Sequence, residues 1–204
     1  KSHGPDLRLA AVGGPAGLVD PLVDRRFLGQ GWTSRLLQSV LVDLLTPGEE
    51  AVDQLTAQHR FDIQLLAERL IGVVDWVGES ATTANLRIGL FGASTGAAAA
   101  LVAAAARARV VGAIVSRGGR PDLAGPALAA VLAPTLLIVG GADREVLELN
   151  RQALQLLGTT RKQLVVVPGA THLFEEPGAL DQVARLAADW FTTCFGAHAA
   201  RVAG

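Results

Sequence analysis

Short apolar runs alternate along the chain with longer segments in which apolar residues recur every three or four positions. The runs at 7–12, 38–44, 86–91, 110–115, 135–139 and 163–167 have the length and composition of buried strands. Between them, 62–77 places Leu66, Leu70, Val73 and Val77 on one helical stripe, with Glu68, Arg69 and Asp75 elsewhere on the circumference. A last helix opening with Pro177 puts Leu180, Val183, Ala187, Trp190 and Cys194 on one face, which assigns Cys194 to the core rather than to a reactive thiol. Further helices fit 24–34, 95–106, 123–131 and 146–157. This alternation predicts an α/β three-layer sandwich: about six mostly parallel strands with helices on both faces. The stretch 116–133 is too short to hold an inserted cap domain, so the strand ends are expected to be open.

Composition narrows the picture. A chain of 204 residues fits one domain, and by size scaling it buries about 70% of its unfolded surface. Lys and Arg number 18 against 19 Asp and Glu, a formal net charge of −1 with no basic cluster, so neither nucleic acid nor a membrane is an expected partner. The longest apolar run, 97–106, is half what a bilayer span requires. Cys194 is the single cysteine, which excludes an internal disulfide. The four histidines (His3, His59, His172 and His198) lack zinc-ligand spacing, so no metal site is expected. The start at Lys1, with no apolar signal core after it, reads as a processed, tagged or truncated chain, and the expected location is the cytoplasm. No oligomeric state follows from these features.

The chemistry concentrates at strand ends. Gly92-Ala93-Ser94-Thr95-Gly96 is a G-x-S-x-G pentapeptide between a strand and a helix, where a nucleophile elbow belongs. Small residues are needed on either side because the serine sits on a tight turn that brings neighbouring backbone close. The competing interpretation, a glycine-rich turn of a nucleotide-binding fold, lacks G-x-G-x-x-G, and the only lysines are Lys1 and Lys162, so no Walker A lysine is present. A serine hydroxyl becomes a competent nucleophile when an imidazole takes its proton and a carboxylate orients that imidazole. Asp143 follows the fifth strand through Gly140-Gly141-Ala142, and His172 follows the sixth through Pro168-Gly169-Ala170-Thr171. The order Ser, Asp, His is that of α/β-hydrolases. Asp143 also fits an N-cap of the following helix, His172 also fits a solvated loop histidine, and Glu145 is the nearest competing carboxylate.

These segments, together with Ser116-Arg117-Gly118-Gly119-Arg120-Pro121-Asp122-Leu123 and Gly169-Ala170-Thr171-His172-Leu173-Phe174, resemble the dienelactone hydrolase-like branch of the α/β-hydrolases from about residue 40 to 195. The resemblance implies that fold and a Ser94, Asp143, His172 triad. Dienelactone hydrolase itself uses a cysteine nucleophile where Ser94 stands here, so its substrate does not carry over. Relatives also occur joined to phosphoribosyltransferase domains, which keeps a role as a partner domain open. They usually carry a His-Gly-x-Gly loop that donates one oxyanion N–H, the other coming from the residue after the nucleophile. This chain instead reads Gly13-Gly14-Pro15-Ala16-Gly17 after the first strand. Thr95 is the expected first donor and Ala16 the second, since Pro15 has no N–H. A plain turn at Gly13 to Gly17, or a remnant of the motif at His3-Gly4, are the alternatives. Arg117 and Arg120 are candidates for pairing with a substrate carboxylate, whereas His59, Trp32 and Trp76 read as core or surface residues. The expectation is a capless serine hydrolase acting on a small-molecule ester, lactone or thioester without metal or organic cofactor. A catalytically weak hydrolase-fold partner domain and a Rossmann-like cofactor binder remain as alternatives.

Overall fold

The computed structural model describes residues 7–12, 38–79 and 87–202. These residues form a six-stranded parallel sheet ordered β2-β1-β3-β4-β5-β6, from β1 (Leu7–Val12), β2 (Gln38–Val42), β3 (Arg87–Ala93), β4 (Val111–Arg117), β5 (Thr135–Gly140) and β6 (Lys162–Val167). The chain steps outward from β1 to β2, then crosses back to β3 on the other side of β1, and proceeds outward again through β4, β5 and β6. The reversal lies between β1 and β3, where Val12 is paired with Gly92. Crevices at such reversals, beyond the carboxyl ends of the strands, are where open α/β sheets bind ligands.

The described helices are α1 (Pro47–Thr56), α2 (Ile63–Glu79), α3 (Thr95–Ala106), α4 (Arg144–Leu156) and α5 (Ala179–Val202), of which α2 to α5 cover the sheet. One face packs against α2, α3 and α4 through Leu66, Leu70, Val74, Leu101, Ile114 and Leu137. The other packs against α5 through Phe91, Val115, Ile138, Val183, Ala187 and Phe191. α3 is apolar around its whole circumference, and Ala97 to Leu101 are completely buried. Its alanines let the helix lie close to β3 and bring its first turn against the end of that strand.

The expected helices at 62–77, 95–106 and 146–157 are present with shifts of a few residues, and β3 and β4 run two residues further than their apolar runs, to Ala93 and Arg117. The last helix starts at Ala179, because Pro177 belongs to a turn completed by Gly178 at φ 79°. Of its expected stripe, Leu180, Val183, Ala187 and Cys194 are buried while Trp190 is half-buried at the edge of the cluster, and burial pushes the Cys194 thiol pKa up. Two elements depart from the sequence pattern. The helix expected at 123–131 is instead a pair of 3₁₀ turns over Pro121–Ala130, kinked at Gly125 (φ 52°). Pro126 disfavours helical geometry at the residue before it and has no N–H to continue an α-helix. Only this pair and the short loops on either side of it join β4 to β5, so no cap domain is inserted there. α1 was not expected at all: Thr46 accepts the Glu49 N–H while the Glu49 side chain accepts the Thr46 N–H, a capping box with Pro47 in the first turn. The turn after α1 is ordered by buried Asp53, which accepts the N–H groups of His59 and Arg60 at 2.8 Å each and the Arg60 Nε–H at 2.7 Å. Burial opposes ionisation of Asp53, but the hydrogen bonds from Arg60 and His59 outweigh it and hold the carboxyl below its usual pKa. The helix expected at 24–34, the segment Gly13 to Gly17 with Ala16, and His3 and Trp32 lie outside the described residues.

Candidate active site

At the end of β3 the backbone turns from strand to helix within one residue. Ser94 adopts φ 50° and ψ −124°, in the region that side chains disfavour. Its conformation is imposed by the surroundings. The Ser94 N–H donates to Arg117 O at 3.3 Å, and Ser94 O accepts from Arg120 N at 3.0 Å and from Ala97 N at 3.2 Å. The turn also demands glycine at 92: a Cβ there would lie 2.5 Å from Gly96 O and 2.6 Å from the Ala97 Cα. This is the steric reason for the first glycine of the pentapeptide, and it places Ser94 on a sharp bend above the sheet at the β1/β3 reversal. Thr95, only 2% exposed, opens α3, so its N–H is among the first-turn donors that have no carbonyl one turn back.

The acid and the histidine come from neighbouring strand ends. Gly141 N donates to Val167 O at 2.8 Å and Ala142 N to Ala170 O at 2.9 Å, so the loops after β5 and β6 are stitched together by backbone bonds. Gly140 permits this closeness, because any Cβ there would run into the carbonyl oxygens of Ala170 and Thr171. The result is a 2.7 Å contact between Asp143 Oδ2 and His172 Nδ1. The Asp143 side chain is 14% exposed and that of His172 37%, so the carboxylate is sheltered while the imidazole reaches solvent. Asp143 does occupy the N-cap position of α4, and its carbonyl accepts Leu147 N at 2.9 Å, but its carboxylate makes no capping bond. The side chain has turned to the histidine instead. Glu145 sits exposed on the first turn of α4.

The loop 117–120 touches both halves. Besides its two bonds to Ser94, Gly118 donates to Ile138 O at 2.8 Å, and a Cβ on Gly118 would lie 3.1 Å from His172 O and 3.7 Å from the imidazole Cε1. Gly118 has φ 50°, so the position suits glycine on backbone grounds as well. Sequence reasoning assigned no role to this glycine or to Glu176. The Glu176 carboxylate accepts the Thr171 N–H at 3.0 Å, one residue before His172. Hydrogen bonding from the Thr171 side chain first, then from the backbone N–H groups of Glu176 itself and of Thr171, holds the Glu176 carboxyl below its usual pKa. Phe174, fully buried and at φ 59°, anchors the far side of the same loop.

Arg117 and Arg120 lie at this end of the sheet, and each is engaged internally. The Arg117 guanidinium sits 5.7 Å above the Phe174 ring and donates to Leu173 O at 3.5 Å. Arg120 makes a two-pronged pair with Asp122, at 2.9 Å and 2.7 Å. A substrate carboxylate would have to compete with these partners. Among the described residues, no group of three His, Cys, Asp or Glu is placed to hold a metal ion, and no helix is long and apolar enough to cross a membrane.

No family model matches the sequence. Two provisionally named phosphoribosyl transferases from Mycobacterium tuberculosis are each 56% identical over 169 residues, 83% of this chain. The chain spans 37% of the length of these relatives. Among solved structures, an α-beta serine hydrolase homologue from Coxiella burnetii shares the fold at 20% identity, with a TM-score of 0.66 over 91% of this chain and 85% of that one. Dienelactone hydrolase from Anabaena variabilis is 48% identical, covers 95% of this chain and 88% of its own, and superposes with a TM-score of 0.86. With that identity spread over nearly the full length of both chains, on a parallel sheet whose carboxyl edge carries the elbow and the Asp143–His172 pair, the chain belongs to the dienelactone hydrolase-like branch of the α/β-hydrolases.

Proposed function

We propose that this protein is a serine hydrolase that cleaves a small carboxylic ester, lactone or thioester through an acyl-enzyme, with Ser94, His172 and Asp143 as nucleophile, general base and orienting acid. The observation that carries the reading is the 2.7 Å contact of His172 Nδ1 with Asp143 Oδ2, made between loops that follow different strands at the edge where the Ser94 elbow also lies. With Nδ1–H donated to the carboxylate, the remaining lone pair of the ring is on Nε2, the tautomer a general base requires. Ser94 Oγ attacks the acyl carbon and its proton passes to Nε2. The tetrahedral oxyanion is stabilised by the Thr95 N–H and by that of Ala16, four residues after β1 in the sequence. Collapse expels the alcohol, thiol or ring oxygen, which takes the proton from Nε2. Water activated by the same nitrogen then releases the acid and restores Ser94. This cycle consumes water alone and needs no redox or carrier group. The short β4–β5 connection favours short acyl groups, and the reading places the enzyme in the cytoplasm.

A second reading rests on the 37% coverage of the Mycobacterium tuberculosis relatives: a hydrolase-fold module serving a longer protein, with little turnover of its own. Incubation with a fluorophosphonate followed by intact-mass measurement separates the two. A stoichiometric adduct that is lost in both Ser94→Ala and His172→Ala, together with p-nitrophenyl acetate turnover, is the expected result. An unlabelled, folded wild type would favour the module.

A further inference from the structure

Asn150 lies on α4, two helical turns beyond Asp143, and is completely buried on the helix face formed by Val146, Leu147, Asn150 and Ala153. Its Nδ2 donates twice: to Val146 O at 2.8 Å, one turn back in its own helix, and to Gly119 O at 2.9 Å, across the gap to the loop after β4. Two carbonyl acceptors fix the amide orientation, because the oxygen end cannot face either of them. The other end is costly. Asn150 Oδ1 is buried with no hydrogen-bond partner, so an apolar side chain of similar volume would pack here without that desolvation penalty. What the amide adds is the tie to Gly119.

Gly119 stands in the middle of the segment on which the elbow depends. Arg117 O and Arg120 N, two residues before and one after, are the partners of the Ser94 N–H and carbonyl, and Gly118 lies against the His172 ring. Packing closes off only the side of Gly119 that a Cβ would occupy, against Ser116 Oγ and the Ala97 Cβ, and the restraint on its carbonyl side is the bond from Asn150. Asn150 thus joins the helix that begins at the acid to the loop that holds the nucleophile in its strained conformation and borders the imidazole.

We propose that Asn150 is a positioning residue: through Gly119 O it fixes the 117–120 loop, and with it the Ser94 backbone, relative to the Asp143–His172 pair. This rests on the serine-hydrolase reading above. Loss of the tie lets the elbow drift by a fraction of an ångström to an ångström, which slows acylation without weakening substrate binding.

The test uses the full chain with a fluorophosphonate as probe and p-nitrophenyl acetate as substrate. Asn150→Leu removes both hydrogen bonds and fills the space. Asn150→Ser keeps a hydroxyl able to donate to Val146 O in the preceding turn but too short to reach Gly119 O, so it severs the tie alone. Leu70→Ala, a buried truncation on α2, serves as a control that lowers stability without touching the loop. Both Asn150 variants are expected to lose about a hundredfold in labelling rate and kcat with KM essentially unchanged, the size of effect that misplacing a reacting group by about 1 Å produces. Leu70→Ala should keep wild-type kcat below its unfolding transition. Labelling of folded Asn150→Ser at the wild-type rate overturns the proposal, as does a kcat loss of the same size in Leu70→Ala. If Asn150→Leu does not fold, Asn150→Ser decides alone. An unlabelled wild type overturns the hydrolase reading and this proposal with it, whereas a labelled wild type with unaffected variants overturns this proposal only.

Discussion

Replacing Gly92 with alanine adds one methyl group, and the structure states what that group meets. Its carbon would stand 2.5 Å from Gly96 O, 2.6 Å from the Ala97 Cα and 2.7 Å from Ala97 N. All three are backbone atoms of the first turn of α3, so no rotamer change can clear the space. Restoring an ordinary contact of 3.4 Å requires that turn to retreat from β3 by about 0.9 Å. α3 cannot retreat freely, because Ala97 to Leu101 are completely buried. The cost is shared between overpacking, about 1–3 kcal/mol of stability, and displacement of Ser94 and Thr95, which lie between Gly92 and Gly96. A shift near 1 Å at a reacting group costs about 10² in rate, or about 2.7 kcal/mol of barrier. Gly92→Ala is therefore expected to lower kcat on p-nitrophenyl acetate, and the fluorophosphonate labelling rate, by about that factor, with a lower urea midpoint. Gly72→Ala supplies the contrast: Gly72 lies exposed within α2 with nothing within 4 Å of the added carbon, so that change should raise stability by about 0.5–1 kcal/mol and leave kcat alone. A Gly92→Ala protein with wild-type kcat and midpoint would refute the steric account of the elbow.

Asp143→Asn should lower kcat by about 10⁴ through the wrong imidazole tautomer, with little loss of stability by urea denaturation, since the Asp143 side chain makes no capping bond to α4; a large midpoint shift would restore the capping role. Glu176→Gln tests the brace on the histidine loop. Because the folded state holds the Glu176 carboxyl below its usual pKa, its charge stabilises the fold fully above the unfolded value of about 4.3, and that contribution is lost as pH falls through the depressed folded value. The variant should be less stable than wild type at about pH 7, with the gap narrowing toward about pH 3; a gap independent of pH would show that the carboxylate charge has no part in holding Thr171.

Much of this architecture is legible in the sequence because burial and period leave local marks. The apolar runs give the strands, and the glycines around Ser94 mark a close backbone approach that the β3–α3 packing does impose. α1 was legible too, since Thr46-Pro47-Gly48-Glu49 is a capping box with proline in the first turn, but the helix is short and buries only Asp53, leaving no apolar stripe to flag it. The Gly125-Pro126 pair likewise announces a break in what the apolar positions of 123–131 make resemble one helix. Local pattern and local punctuation disagreed there, and the punctuation prevailed because a missing N–H cannot be compensated by apolar spacing.

The site was legible only as a set of candidates. Whether Asp143 caps its helix or orients an imidazole depends on His172, 29 residues further along the chain, and on Gly140 allowing the two loops to touch. No window containing Asp143 alone encodes that outcome. The same holds more strongly for Asn150 and Glu176, whose partners are a backbone carbonyl 31 residues away and a backbone N–H in a loop without periodicity. Side chains that bond to backbone leave no complementary residue to search for, so their positions in the sequence look interchangeable with any other amide or carboxylate. Arg117 and Arg120 show the converse: two arginines at the right edge of the sheet suggest anion binding, yet Phe174 and Asp122 already engage them. Residue type and strand-end position identify which groups are able to do the chemistry. Which of them are oriented for it is fixed by backbone contacts between loops, and here those contacts converge on 117–120, the segment bonded to Ser94, bordering His172 and tied to the helix of Asp143.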